Sequence, residues 1–402
     1  MNSQNTTVHM RLWHREFWLM ATANLLLSMS VTMLIPVLPL WLRQWTGMDD
    51  TLTGLVMAAF AIGLFLPGAF CSYLVQRYRR NLVFIISVLV LAASMVLPFL
   101  PHSAYQSPLV VILWRVMQGA AFGLAQMVLS STLIIDTCES HQRTEANHSA
   151  TWFGRFALSL GPMTGLLLLK LSDVIYPNRL LEDCSGNLSP LNVFFVAAIC
   201  CLAAVVLVLF IHFPFRIPED GTRLMSLDRF FLPSGFPLFF NLMLVTIAIG
   251  LLMSMAVPAN SYGMVMIGFL LALLAQRFVF RDAEVKSEVI TGLLLMAAAM
   301  IILLASRMSP LTTPLLGLGL GIVGARFLLF FIKLSRHCQR GTSQSTFMLG
   351  WESGLAIGVG LGCACFTHHI QQLLTTALGL VVVALLMYVC FTHQWFVRHK
   401  NR

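Results

Sequence analysis

Charge is what this chain has least of. Of its 402 residues 10% are Asp, Glu, Lys or Arg against 58% hydrophobic, and 25 basic residues outnumber 16 acidic ones. A soluble core could not hide that much apolar surface, so the composition excludes an ordinary water-soluble fold and predicts a polytopic membrane protein in a lipid bilayer. The few basic residues stand in small groups between long apolar runs. They form no stripe or block with interleaved aromatics, so the pattern reads as membrane topology, and no nucleic-acid partner is expected. The nine cysteines fall mostly in apolar runs or basic loops, with Cys184 alone in a polar loop. Free thiols are expected, not a disulfide framework. The pair His368 and His369 has no supporting ligand set, so no metal and no other cofactor is expected. The first apolar run is long and lacks a small-residue cleavage site, which predicts a retained helix and no removed signal peptide.

A helix needs roughly 20 apolar residues to cross the hydrocarbon. Twelve runs qualify, and their spacing predicts an all-α membrane protein of two six-helix bundles: residues 1–213, a polar connector at 214–235 containing "FRIPEDGTRLMSLDR", and residues 236–402. The first six spans are Phe17–Leu42, Leu52–Val75, Leu82–Leu100, Leu109–Ile135, Ser149–Leu171 and Asn192–Phe213. The second six are Phe236–Val257, Tyr262–Phe280, Val289–Ala305, Leu311–Leu334, Thr346–Phe366 and Leu373–Phe396. Counted by loop, 18 Lys and Arg lie on the side of the termini and 4 on the other (Arg43, Lys170, Arg179 and Arg307). The excess predicts that both termini face the cytoplasm.

An ungapped shift of 200 residues pairs Gly63, Gly68, Leu74, Gln76 and Arg77 with Gly263, Gly268, Leu274, Gln276 and Arg277. A repeat at half the chain length predicts pseudo-symmetric halves related by an axis along the membrane normal, an arrangement found among secondary transporters, with the substrate site between the halves.

The fourth span, "LWRVMQGAAFG", resembles the fourth-helix motif of the major facilitator superfamily in Arg115, Gln118, Gly119 and Gly123. The fifth, "SLGPMTGL", is similar to the superfamily's fifth-helix motif, which is associated with exporters, in Gly161, Pro162 and Gly165; Leu166 and Ala157 stand where the motif has glycine. The loop "SYLVQRYRRN" departs further, with Ser72, Gln76 and Arg79 at positions the family fills with Gly, Asp and Gly. The family's Asp-based latch therefore does not carry over. The resemblance implies the family's twelve-helix fold, with spans 1, 4, 7 and 10 lining a central cavity. It adds Asn24, Ser28 and Asn241 as candidate substrate contacts. For Arg115 it implies either a role in the proton pathway or the anchoring of its helix.

Three arginines, Arg115, Arg155 and Arg326, fall inside the spans, and Glu352 is the one acid read inside them. A charge there must face a water-filled cavity or a partner. Gly350, Gly354, Gly358 and Gly362 recur every fourth residue, a ridge that lets another helix approach closely, and Glu352 stands about 200° round the helix from it. Arg326 is likewise opposite the seam of Gly317, Gly321 and Gly324. Arg115, Gln118, Gly119, Phe122 and Gln126 share one stripe, placed inward because a polar stripe toward lipid is costly. Two readings stand for Glu352: a carboxylate that exchanges protons and competes with substrate, or a structural ion pair to an arginine. Arg155 and Arg326 fit either an anionic or polyhydroxylated substrate or simple pairing. Gly161 and Pro162 fit either a bend used in rocking or close packing.

The expectation is a monomeric secondary transporter in a bacterial inner membrane, a proton-coupled antiporter exporting small organic molecules. The alternatives are a proton symporter importing a sugar, nucleoside or organic acid and, from another class, a polytopic membrane transferase. The sequence holds no G-x-x-x-x-G-K-[ST] loop, so ATP-driven pumping would need another subunit.

Overall fold

The computed structural model describes residues 12–101, 107–139, 141–175, 191–213, 223–280, 283–306, 310–336 and 339–400. Arg179, Cys184, Arg307, Cys338 and residues 214–222 of the connector expected at 214–235 lie outside them. Eleven helices among the described residues are long and apolar enough to span a bilayer, and a bent pair makes the twelfth. We number them α1 (Arg15–Gln44), α2 (Asp50–Phe65 with Gly68–Arg77), α3 (Arg80–Phe99), α4 (Pro108–Asp136), α5 (Arg143–Leu171), α6 (Leu191–Leu209), α7 (Pro233–Met253), α8 (Ala259–Val279), α9 (Val285–Ala305), α10 (Thr312–Leu334), α11 (Arg340–Cys365) and α12 (Ile370–His399). The face where α1 begins and α12 ends is here called basal, the other distal.

Local chemistry sets the breaks. Asp49 caps α2, its carboxylate accepting from the Leu52 N–H at 3.0 Å, a partner for one of the orphan donors of a helix start. Pro67 then ends the first piece of α2, which resumes at Gly68 after a 44° bend. In α1 the helix breaks at Met33, just before Pro36 and Pro39. A proline inside a helix removes a backbone donor and crowds the carbonyl four residues back.

The packing repeats between halves. In the first half α1 meets α5 and α6, α3 meets α4 and α6, and α2 meets α4; in the second α7 meets α11 and α12, α9 meets α10 and α12, and α8 meets α10. Each contact in one set is matched six helices later in the other. The halves join through two further pairs, α2 with α11 and α5 with α8. Those pairs are also related by the six-helix shift. With no hydrophobic drive between helices in lipid, such contacts depend on small residues that let backbones close in.

The glycine ridge of α11 meets α7: a Cβ at Gly350 would lie 3.1 Å from the Phe239 ring, and one at Gly354 would lie 1.9 Å from Thr246 Oγ1. The seam of α10 meets α8 at Gly317, against Val265 and Gly268, and at Gly321, against Phe269 and Ala272, while Gly324 faces Trp351 and Arg155. On α5, Gly161 and Gly165 press on the break in α1, at Thr32 and Met33. Pro162 lies within α5, whose helix continues through it. Gly119 of α4 lies against the Phe60 carbonyl of α2.

Candidate functional site

Two of the sequence candidates come together. Glu352 of α11 and Arg115 of α4 line one small cavity of about 20 Å³, closed by Val31, Thr32 and Ile35 of α1, Met57 and Phe60 of α2, and Leu355, Ala356 and Val359 of α11. That volume holds roughly one water molecule. Arg115 is 3% exposed; it donates to Gln118 Oε1 at 2.7 Å and lies 4.5 Å from the Phe60 ring centroid. Its Nε has no hydrogen-bond partner among the described residues. Glu352 is half-buried, and among the described residues no ion pair ties it to an arginine. The ridge on the opposite side of α11 explains why: the glycines seat the helix on α7 and turn position 352 toward α1, α2 and α4.

A polar network crosses the first half beside this cavity. Gln126 Nε2 donates to Asn24 Oδ1 and to Ser28 Oγ, both at 3.0 Å, and Asn24 Nδ2 donates to the Ala150 carbonyl of α5 at 2.8 Å. Thr32 Oγ1 donates to the Ala157 carbonyl at 2.8 Å. The buried polar side chains of α1 are thus answered by α4 and α5, as buried polar groups must be.

The remaining candidates stand elsewhere. Asn241 of α7 donates to the Ala384 carbonyl of α12 at 3.0 Å. Arg326 of α10 is ion-paired to Glu288 of α9. Here the structure corrects the sequence reading, in which Glu352 is the one acid inside a span: Glu288 is 1% exposed and lies in the first turn of α9. The apolar run begins at Val289, but the helix begins at Val285, a turn earlier. An acid in the turn before the apolar run, with an arginine on the next span, was the available signal.

Arg155 of α5 is 2% exposed and has no pairing of that kind among the described residues. Its guanidinium carbon lies 4.7 Å from the Trp152 ring, 5.7 Å from Phe347 and 5.7 Å from Trp351. Glu352 does not pair with it. The aromatic surround was not legible as a site, because Trp152, Phe347 and Trp351 come from two distant helices.

On the distal side a cavity of about 610 Å³ opens among α5, α7, α8 and α10, walled mostly by apolar side chains including Leu158, Met163, Tyr262, Leu316 and Leu320. On the basal side the halves touch at Gly341 and Ser131, and Gln344 Nε2 donates to Thr151 Oγ1 at 2.6 Å. Nearby, Arg80 is ion-paired to Asp136. The described end of the connector lies alongside: the Arg229 N–H donates to Thr342 Oγ1 at 2.9 Å, and that hydroxyl donates to Asp228 at 3.2 Å. The connector thus supplies an acid, Asp228, at the start of α11.

Two six-helix halves meeting around buried polar groups at mid-span define the architecture of a secondary transporter. The chain matches the Major Facilitator Superfamily over residues 20–397 and belongs to it. It is 24% identical over 196 residues to the quinolone resistance protein NorA of Staphylococcus aureus (strain MRSA252). That similarity covers 49% of this chain and 45% of NorA, just under half of the curated relative's length. Among solved structures, a bacterial homologue of the human lysosomal transporter Spinster, inward-facing and unoccupied, is 16% identical with a TM-score of 0.66, covering 96% of this chain and 98% of that one. The xylose transporter XylE from E. coli, in a partially occluded inward-open conformation, is 15% identical with a TM-score of 0.66, covering 94% and 98%. At these identities the structures bear on the fold alone. The family and fold are those of transporters, so the reading as a membrane transferase falls away.

Proposed function

We propose that the protein is a proton-coupled exporter of small organic molecules, with Glu352 as the coupling carboxylate and Arg115 beside it in the proton path. The observation that carries this reading is their shared cavity, in which the carboxylate has no arginine ion pair among the described residues and space for about one water. A carboxylate held by a structural ion pair would be committed; this one is free to exchange a proton when the cavity opens. Loss of the proton leaves a negative charge whose one charged neighbour on the cavity wall is Arg115, and that attraction favours closure of α2 and α11 over the pair. Gain of the proton relaxes it. Asn24, Ser28, Gln118, Gln126 and Arg155 are assigned to the substrate path. Asn241 and Arg326 are engaged with α12 and α9. The likeness to NorA supports export over import, and the basic excess on the basal side supports cytoplasmic termini in a bacterial inner membrane. The working unit is taken as one chain of two halves, 1–213 and 236–402.

The test is quinolone transport in oriented vesicles under an imposed pH gradient, together with the pH dependence of tryptophan fluorescence, for which Trp351 adjoins Glu352. Glu352→Gln is expected to abolish gradient-driven transport and to flatten the fluorescence titration. A variant that keeps both at the wild-type level rules Glu352 out as the coupling site.

A further inference from the structure

We infer that Arg155 is the docking point for the anionic head of an amphiphilic substrate, a carboxylate or sulfonate on an apolar body, with the body in the distal cavity of about 610 Å³. The inference rests on the transporter reading and narrows its substrate class.

The argument starts from the unmet chemistry of the guanidinium. Nε, Nη1 and Nη2 of Arg155 are all buried without a hydrogen-bond partner among the described residues. Of the other arginines read inside the spans, Arg326 is ion-paired to Glu288, and Arg115 donates to Gln118 and shares a cavity with Glu352, though its Nε has no partner among the described residues. Trp152, Phe347 and Trp351 attract the cation through their ring faces, yet such contacts leave the in-plane N–H donors unused. A buried charge with unused donors is costly unless a partner supplies the opposite charge. Among the described residues no acid is placed to do so: Glu288 holds Arg326, and Glu352, next to Trp351, faces the cavity shared with Arg115. His148, edge-on to Trp152 at 6.5 Å, brings no negative charge to the cluster. The partner must then come from outside the chain, and a planar fork of donors fits a carboxylate or sulfonate.

The apolar body follows from position. Leu158, one turn beyond Arg155 on α5, is a wall of the distal cavity. So is Leu320 of α10, one turn from Gly324, where a Cβ would lie 3.2 Å from Arg155 Nε. Head site and cavity are therefore successive turns of the same two helices. The cavity's size is that of drug-like ligand sites, roughly 300–1,000 Å³. The head site also lies on the joint between halves, since Trp152 packs on Phe269 of α8 and near Gly321 of α10. An anion bound there meets a charge that closure buries.

The test is binding of 4-butylbenzoate and 4-butylbenzenesulfonate, against the uncharged 4-butylbenzamide, read by tryptophan fluorescence of the full chain in phosphatidylcholine nanodiscs at one pH. The anions are expected to saturate at concentrations at least about tenfold below the amide, as charge-assisted hydrogen bonds imply. Arg155→Gln is expected to erase the difference and Arg155→Lys to keep part of it. The assignment is overturned if the amide binds wild-type protein as tightly as the anions, a comparison that needs no variant. It is equally overturned if Arg155→Gln keeps the preference. Adding phosphatidylglycerol separates the two sources of an amphiphilic anion: if the lipid abolishes probe binding through Arg155, the site belongs to a headgroup and not to a substrate. With no pH gradient in the assay, failure here leaves the coupling role of Glu352 standing, and failure of that role leaves this site standing.

Discussion

Alanine at Gly360 tests which joints of the molecule move. Gly360 faces α2 near the distal end of α11, and a Cβ there would lie 2.7 Å from the Gly54 carbonyl oxygen, 2.7 Å from Ala58 Cβ and 2.9 Å from Ala58 N. Ordinary contact begins at 3.4 Å, so the backbones must part by roughly 0.7 Å, and neither partner is a side chain that can rotate away. Overpacking of this kind typically costs about 1–3 kcal/mol. Because α2 and α11 belong to different halves, separating the halves relieves the strain. The expected result is a shift away from the distally closed arrangement by a factor on the order of 5 to 150, at nearly unchanged thermal stability. Gly358, on the same helix, is the control: its Cβ would lie 2.2 Å from the Ile247 carbonyl of α7, within one half. There the strain has no rigid-body outlet, so Gly358→Ala should lower the melting temperature and leave the equilibrium between halves alone. Spin-label distances between the exposed positions Leu55 and Leu361 report the opening. If Gly360→Ala leaves that distance distribution unchanged and instead melts early like Gly358→Ala, the α2–α11 contact is a fixed seam and the reasoning fails.

Two other perturbations separate structural from moving charges. Glu288→Gln leaves the part-buried Arg326, 18% exposed, without its counter-charge, where breaking a buried pair typically costs about 3–5 kcal/mol; a clear fall in thermal stability is expected, and a fall under about 1 kcal/mol would show the pair to be dispensable. Arg80→Ala breaks the basal ion pair to Asp136, and it should speed thiol labelling of Ser131→Cys, a position now covered by Gly341 of α11; unchanged labelling would place the basal closure elsewhere.

The helix-level plan was legible because each span must satisfy its backbone internally and show lipid an apolar surface, which leaves long runs in the sequence. The α11 ridge was legible for a similar reason: glycines every fourth residue have few uses in a membrane helix except close approach, and they do meet α7. What could not be read was which helices lie across from a given face. Arg155 was visible as a charge, but its aromatic neighbours on α11 were not assignable to it. Glu288 was missed because hydropathy marks where a run becomes apolar, not where the helix starts. The repeat illustrates a further limit. Gly63 meets Gly119 of α4 and Gly268 meets Gly317 of α10, so the glycines at equivalent crossings are not those that the ungapped alignment pairs. Identity in a repeat records ancestry of position, while a crossing point can slide along a helix by a turn.

Glu352 and Trp351 are adjacent on α11, and successive residues of a helix point about 100° apart. One faces the cavity with Arg115 on the α2 side; the other faces Arg155 on the α5 side. These are the two sides on which the halves join, and by the six-helix symmetry each joint is the counterpart of the other. A rocking motion that loosens the basal contacts withdraws α11 from α5 and from the end of α4 together, since Gln344 and Gly341 tie it to both. The proposed proton site and the proposed anion site are thus carried by neighbouring residues of one rigid element. No chain of intermediate side chains is needed to connect them: whatever moves α11 changes the surroundings of both charges at once, which is the physical requirement for coupling a proton to a substrate.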